Sequence, residues 1–136
     1  MTRNRMMLIG VIIVAAAAFW WTNQPKEVAD GEPIVSVMVP ELNAAAKRGE
    51  KLFNVNCAAC HGPNASGKDG FAPPLIHVIY EPNHHADISF QLAVKNGVRG
   101  HHWPFGNMPP IEGVGELDVV QIVNYIRTLQ RANGIK

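Results

Sequence analysis

The residues of this chain with the clearest chemical potential are Cys57, Cys60 and His61, which stand in the pattern Cys57-Ala58-Ala59-Cys60-His61. Two thiols three positions apart, followed at once by a histidine, are the pattern for covalent attachment of haem. Each thiol adds across one vinyl group of the porphyrin, and the histidine is then placed to bind the iron as proximal axial ligand. The sequence therefore predicts one covalent haem c, attached through Cys57 and Cys60, with His61 on the iron.

Other uses of these thiols fit the sequence less well. The chain has 2 cysteines, and both lie in this motif. A redox dithiol is typical of a thioredoxin-like βαβ context, which does not surround Cys57. A structural zinc site needs four ligands, whereas the motif offers three. A disulfide between Cys57 and Cys60 would close too small a loop to stabilise a domain.

A helix is predicted directly before the motif. From Glu41 onward, apolar residues and a glycine recur at three- and four-residue steps; they are Leu42, Ala45, Ala46, Gly49, Leu52 and Phe53. A glycine inside a helix costs about 1 kcal/mol relative to alanine. Close approach of another helix at Gly49 would explain its presence.

Two further helices are predicted after the motif. Asp87 could cap a helix over Ile88 to Asn96, with Gly97 as its stop. Its modest apolar face consists of Ile88, Leu92 and Val94. A stronger amphipathic pattern covers about Glu116 to Arg131, and its apolar residues are Leu117, Val119, Val120, Ile122, Val123, Ile126 and Leu129.

Met108 is the candidate for the second axial ligand of the iron. The other methionines all precede the motif, whereas Met108 lies beyond it, on a glycine- and proline-rich loop stiffened by Pro109 and Pro110. A thioether ligand favours reduced iron and raises the potential, which suits rapid electron transfer. A lone methionine otherwise fills core space, but the haem motif favours ligation here.

Together these features resemble the class I c-type cytochromes over residues 41–136. In that family a glycine and an aromatic residue lie eight and four positions before the first cysteine. A proline and a leucine lie twelve and fourteen positions after the histidine, and a tyrosine on the last helix packs against the glycine. The residues at the corresponding positions are Gly49, Phe53, Pro73, Leu75 and Tyr125.

The resemblance implies an all-α, class I cytochrome c fold, with about three helices wrapped around one haem. It also implies that the carbonyl of Pro73 accepts a hydrogen bond from the proximal imidazole. His61 and Met108 would be the axial ligands.

Residues 1–23 are predicted to anchor the chain in a membrane. Arg3 and Arg5 precede an apolar stretch over residues 6–21, which would extend about 24 Å as a helix against a hydrocarbon core of roughly 30 Å. The arginines would stay in the cytoplasm while the remainder is exported. This arrangement resembles the membrane-anchored cytochromes of bacterial respiratory chains, with the haem domain on the periplasmic side of the inner membrane.

The alternative is a secretory signal that is cleaved near Ala16 and Ala18. In that case Phe19-Trp20-Trp21 would begin the mature chain and would be costly to leave in water. Tryptophans after an apolar helix suit a membrane interface instead, which favours a retained anchor.

Residues 24–40 are predicted to form a linker, because several prolines and charged residues interrupt any regular pattern. As a tether they would reach at most roughly 55 to 60 Å. Within this linker, Ile34 to Val39 could form a short strand or lie along the domain.

The stretch from Gly97 to Met108 departs from the family by its length and by its histidines. One interpretation is that the histidines are polar groups near the haem edge, where Arg99 and Trp103 would contact the haem propionates. A second has two His–His pairs meeting to bind copper. A third has His101 or His102 replace Met108 on the iron, which would lower the potential. The histidines concerned are His77, His84, His85, His101 and His102.

The predicted function is one-electron transfer through an exposed haem edge, by a carrier that is not itself an enzyme. Its partners would be membrane or periplasmic redox proteins, with a quinol-oxidising complex as donor and a terminal reductase or oxidase as acceptor. The net charge of +1 gives no reason to expect a nucleic-acid partner. Alternatives are a fixed haem subunit of a larger membrane redox complex, a haem domain with an additional copper site, or a haem that binds small molecules catalytically or as a sensor.

Overall fold

The computed structural model describes residues 12–16, 19–20 and 31–136 of a chain that divides into two compact units, Met1–Asp30 and Gly31–Lys136. In the first unit, residues 12–16 and 19–20 are helical with exposed side chains. Within the described parts of the chain, no helix combines the length and the apolar character needed to cross a membrane. Most of the predicted anchor, residues 1–23, and residues 24–30 of the predicted linker lie outside the described residues.

The second unit consists of helices joined by irregular loops. The helices are α1 (Ala44–Asn56), α2 (Ala58–His61), α3 (Asp87–Asn96) and α4 (Glu116–Ala132), with 3₁₀ turns at Pro63–Ala65 and Val78–Tyr80. Among the residues described, strand-like pairing is confined to the isolated bridges Lys68–Ala72 and Val98–Met108. The predicted all-α class is confirmed.

Helix α1 begins at Ala44 rather than Glu41 because Asn43 caps it. The Oδ1 atom of Asn43 accepts a hydrogen bond from the backbone N–H of Ala46 at 2.9 Å, which satisfies a donor that has no partner inside the helix. At the start of α4, the carboxylate of Asp118 accepts from the N–H of Gly115 at 3.2 Å. Both helices therefore start where a side chain completes the hydrogen bonding of the first turn.

The core is centred on the crossing of α1 and α4, where Gly49 lies against the opposing backbone. A Cβ atom at position 49 would stand 2.0 Å from the carbonyl oxygen of Gln121 and 2.9 Å from Cβ of Tyr125. One turn further along α1, the fully buried rings of Phe53 and Tyr125 pack with their centroids 5.7 Å apart. The close helix approach predicted at Gly49 is confirmed, and Cys57, at the start of the haem motif, packs against the same core.

The apolar faces of α3 and α4 are narrower than the sequence pattern predicts. In α3, Ile88 is 61% exposed and Leu92 is 50% exposed. In α4, Leu117 is 79% exposed and Val120 is 55% exposed. Phe90 packs against the core in their place. Helix α3 packs against α4, and the exposure of Ile88 and Leu92 places its apolar pattern partly in solvent.

Residues 31–40 lie along the helical unit. The N–H of Val35 donates to the carbonyl of Ser66 at 3.1 Å. Further on, Met38 and Asn133 exchange two hydrogen bonds, from the Met38 N–H to Asn133 Oδ1 at 2.9 Å and from Asn133 Nδ2 to the Met38 carbonyl at 2.8 Å. Residues Ile34 to Val39 therefore lie along the domain and do not form a strand.

The hydroxyl of Tyr125 donates to Asn64 Oδ1 at 3.0 Å and so ties α4 to the loop after the motif. Asn64 holds a left-handed backbone, with φ 54°. Burial, and then the negative charge of Glu50, raise the pKa of Tyr125 to about 12. In the unfolded chain a tyrosine titrates near pH 10. Between about pH 10 and pH 12 the unfolded chain loses this proton while the folded chain keeps it, so folding stability falls as pH rises.

Replacing Tyr125 with phenylalanine is therefore expected to lower stability at neutral pH and to reduce the loss of stability at alkaline pH. At pH 7 the free energy of unfolding falls by about 1 kcal/mol, because the hydrogen bond to Asn64 is lost. Between pH 10 and pH 12 the variant loses less stability than the wild type. Urea unfolding curves at both pH values measure these changes, and an identical alkaline loss in the two proteins would contradict the assignment.

Candidate haem site

The motif Cys57–His61 forms a single helical turn that continues from the end of α1. Cys57 departs from helical geometry, with φ −125°, and α2 begins at the next residue. The N–H groups of Cys60 and His61 donate to the Cys57 carbonyl at 3.1 and 2.9 Å. Gly62 ends the turn with φ 72°, a backbone conformation that favours glycine. Both thiols and the imidazole thus come from one short, hydrogen-bonded element.

The two thiols are free and differ in exposure, since Cys57 is half-buried and Cys60 is exposed. Burial, and then the proximity of Cys60, raise the pKa of the Cys57 thiol to about 11. Cys57 is therefore a protonated thiol at neutral pH in the folded chain. The exposure of Cys60 places one edge of the motif at the protein surface.

His61 is oriented by the backbone of Pro73. Its Nδ1 atom lies 2.9 Å from the Pro73 carbonyl oxygen, and because a carbonyl can only accept, Nδ1 carries the hydrogen and Nε2 keeps its lone pair. Burial lowers the pKa of His61, and the hydrogen bond to Pro73 partly offsets this shift. The result is a neutral imidazole with a fixed tautomer, which is the form that binds iron.

Met108 is held at the end of a closed loop, residues 98–108. Val98 and Met108 exchange two backbone hydrogen bonds of 2.9 Å each, and a Cβ atom at Gly97 would stand 2.5 Å from the Met108 carbonyl. The Met108 side chain is half-buried. The backbone on either side of the thioether is thus fixed, and His61–Met108 ligation remains a prediction.

Trp103, on the same loop, carries a buried indole N–H that donates to no acceptor in the described part of the chain. The hydroxyl of Tyr80 is close by. Burial raises the pKa of Tyr80, and Trp103 partly offsets this shift, although the two groups do not meet hydrogen-bond geometry. Arg99 is exposed and contacts His101 through its backbone carbonyl.

These groups fit a covalent haem. A buried N–H without an acceptor costs about 1 to 3 kcal/mol, and a haem propionate is an anionic acceptor that would satisfy Trp103. The two free thiols would attach the haem covalently. The Nε2 atom of His61, which keeps its lone pair, would bind the iron. Cys57, Cys60, His61 and Trp103 are the residues that would hold the group.

The remaining histidines fall into two sets. His77 accepts a hydrogen bond from the Ile79 N–H through Nδ1 at 3.3 Å, and its ring packs edge-on against Trp103 at 5.2 Å. The other set is gathered at the surface by the turn after Tyr80 and by the 98–108 loop; it consists of His84, His85, His101 and His102. Local desolvation, and then the other three rings, lower the pKa of His102.

Arg127 organises the backbone around the turn that carries His84 and His85. Its buried guanidinium donates to the carbonyls of Tyr80 and His85, to Gln130 Oε1 and to the Asp87 carboxylate. Gln130 in turn donates to the carbonyls of Leu75 and Tyr80. A sequence signal exists, because Gln130 stands on the apolar stripe of α4, where a polar residue needs a buried partner.

Comparison with known proteins agrees with this geometry. The family model described as cytochrome c matches residues 46–130, which include the Cys57–His61 motif and Met108. A protein named cytochrome c-553-like, from Synechocystis sp., is 30% identical over 98 residues, which are 72% of this chain and 81% of that relative. No solved structure gives a significant match. The chain therefore belongs to the cytochrome c family.

Proposed function

We propose that this cytochrome c carries single electrons in an exported, respiratory-type chain, with His61 and Met108 as the two axial ligands of its haem. Membership of the family establishes covalent haem c and electron transfer, and the family is not enzymatic by itself. The observation that carries the finer proposal is the fixed tautomer of His61, whose Nδ1–H is held by Pro73. When bound, the haem supplies a one-electron Fe(III)/Fe(II) couple.

The residues around the site suit electron transfer in which no substrate binds to the iron. Pro73 keeps the imidazole oriented, so His61 would hold the iron in either oxidation state. The Val98–Met108 bridge restrains the backbone of Met108, which would help to keep its thioether on the iron and would leave no open position for small molecules. The exposed Cys60 marks the protein edge at which a redox partner would approach.

The proposed partners are exported or membrane redox proteins, with a quinol-oxidising complex as donor and a terminal reductase or oxidase as acceptor. Charge supports a tethered carrier better than a free shuttle. The formal net charge is +1, and two haem propionates would offset that excess, so long-range electrostatic steering would be weak. We propose that residues 1–23 anchor the chain in the bacterial inner membrane with the haem domain on the periplasmic side. A tether of this kind raises the effective concentration of a membrane partner.

The ligation is tested by replacing Met108 with alanine in the haem-loaded protein. The oxidised wild type is expected to show the weak far-red absorption band from methionine sulfur to ferric iron, and the variant is expected to lose it. The reduced wild type should not bind CO, whereas the variant should, because its distal position is open. The midpoint potential of the variant is expected to fall.

Met38→Ala is the matched control, because the Met38 side chain is 61% exposed and its contacts with Asn133 are made by the backbone. This variant should keep the band. If the wild type lacks the band and does not bind CO, the distal ligand is His101 or His102 instead of Met108. Ready CO binding by the reduced wild type would overturn the carrier proposal in favour of catalysis or sensing.

A further inference from the structure

Two loops, one on each side of helix α3 in the sequence, bring four imidazoles together at the surface. The rings of His84 and His85 lie 4.8 Å apart, and the ring of His102 lies 5.5 Å from each of them. The ring centroid of His101 lies 4.1 Å from that of His102 and 6.5 Å from that of His85. One ring nitrogen from each of His84, His85 and His102 can be chosen so that all three lie within 4.8 Å of one another.

This spacing is close to that of a metal centre. A tetrahedral ion with metal–nitrogen bonds of about 2.0 to 2.1 Å separates its ligand nitrogens by about 3.3 Å. Each distance between two of the three nitrogens therefore has to shorten by at most about 1.5 Å. Rotation of the exposed side chains of His84 and His102 can supply this change. His101 is near enough to offer a fourth ligand.

Two of the rings are already oriented by the backbone. Nδ1 of His85 lies 2.6 Å from the Ile79 carbonyl, and Nδ1 of His101 lies 2.8 Å from the Arg99 carbonyl. Each carbonyl can only accept, so each Nδ1 carries its hydrogen and each Nε2 keeps a free lone pair. A carbonyl bound to the far nitrogen is the usual outer contact of a metal-binding histidine.

The backbone that carries the histidines is also restrained. The carbonyl of His85 accepts a hydrogen bond from the buried Arg127, and the N–H of His85 donates to the Glu81 carbonyl at 2.8 Å. In the opposite loop, the N–H of Gly100 donates to Asn107 Oδ1 at 2.9 Å. Restrained ligands lose less conformational freedom on binding than ligands on free loops.

We propose that His84, His85 and His102, with His101 as an available fourth ligand, bind one divalent transition-metal ion, with Cu²⁺ preferred over Zn²⁺. Imidazole ligands suit both ions, and Cu²⁺ stands above Zn²⁺ in the general order of affinity. The bound ion joins the 98–108 loop to the turn at residues 81–86. The proposal rests on Met108, and not His101 or His102, being the distal ligand of the haem iron, which the far-red absorption band tests separately.

Metal content is the direct test. The haem-loaded chain, made without a polyhistidine tag and stripped with a chelator, is dialysed against Cu²⁺ and assayed by elemental analysis. The wild type is expected to retain one copper per chain, and the double variant His84→Ala/His102→Ala is expected to lose affinity at least tenfold. His77→Gln is the control and should keep one copper, because His77 lies in the other set of histidines. The haem spectrum of each variant reports that it has folded.

Three outcomes would overturn the assignment: no copper in the wild type, one copper in the double variant, or loss of copper from His77→Gln as well. A second readout uses Arg99, which is exposed on the 98–108 loop and is a site for trypsin. Zn²⁺ is expected to slow cleavage after Arg99 several-fold in the wild type and to leave the rate unchanged in the double variant. Equal rates with and without Zn²⁺ in the wild type would contradict the proposed link between the loops.

Discussion

Replacing Gly49 with alanine is expected to lower the free energy of unfolding by about 3 kcal/mol. The new Cβ atom would stand 2.0 Å from the carbonyl oxygen and 2.8 Å from the carbonyl carbon of Gln121. These are backbone atoms inside α4, so no side-chain rotation relieves the overlap and the two helices have to separate. Urea unfolding of the haem-loaded protein, followed by circular dichroism, measures the loss.

The sign of this effect distinguishes packing from helix propensity. At an uncrowded position inside a helix, glycine to alanine stabilises by about 1 kcal/mol. The control is Gly115→Ala, where the nearest atom to the new Cβ would be Asp118 Oδ2 at 3.5 Å, an ordinary contact. Its effect should stay below about 1 kcal/mol. A Gly49→Ala variant as stable as the wild type would contradict the observed crossing of α1 and α4.

Replacing Arg127 with methionine is expected to cost about 3 kcal/mol of folding stability. The variant keeps the length of the side chain but leaves buried acceptors without a donor. Among these are Gln130 Oε1, which accepts from Arg127 at 2.6 Å, and the carbonyl of His85. The ion pair itself contributes little of this, because the Asp87 side chain is 70% exposed and exposed ion pairs stabilise weakly. Chemical unfolding at neutral pH provides the measurement.

The matched control is Arg131→Met, one turn further along α4. The Arg131 side chain is exposed and donates to Thr128 Oγ1 at 3.1 Å, so its replacement should change stability by no more than about 0.5 kcal/mol. Similar losses in the two variants would show that charge at the end of α4, rather than the buried hydrogen bonds of Arg127, accounts for the effect.

The parts of this fold that can be predicted from the sequence are those that depend on local patterns. The Cys57–His61 motif is contiguous, and α4 has a strong apolar period, so neither needs knowledge of distant residues. Gly49 is predictable for a different reason. Its low helix propensity calls for an explanation, and a close helix crossing provides one.

Other features depend on contacts that no local pattern encodes. The sequence assigns Ile88 and Leu92 to a buried face of α3, but burial depends on where α3 meets its neighbours, and Phe90 is the residue that packs. The many contacts of Arg127 depend equally on loops far away in the chain. The meeting of His84 with His102 can be considered from the sequence, yet only the backbone fold places the two loops side by side.

The paired hydrogen bonds between Met38 and Asn133 connect residues that are 95 positions apart, and this bears on how fast the domain folds. Helical proteins with mostly local contacts fold fastest, and rates fall as contacting residues lie further apart in the chain. The entropy of closing a long loop rises only slowly with its length, so this topology slows folding more than it lowers stability. While the ends of the domain remain apart, Cys57 lacks the core contacts that half-bury it in the folded chain.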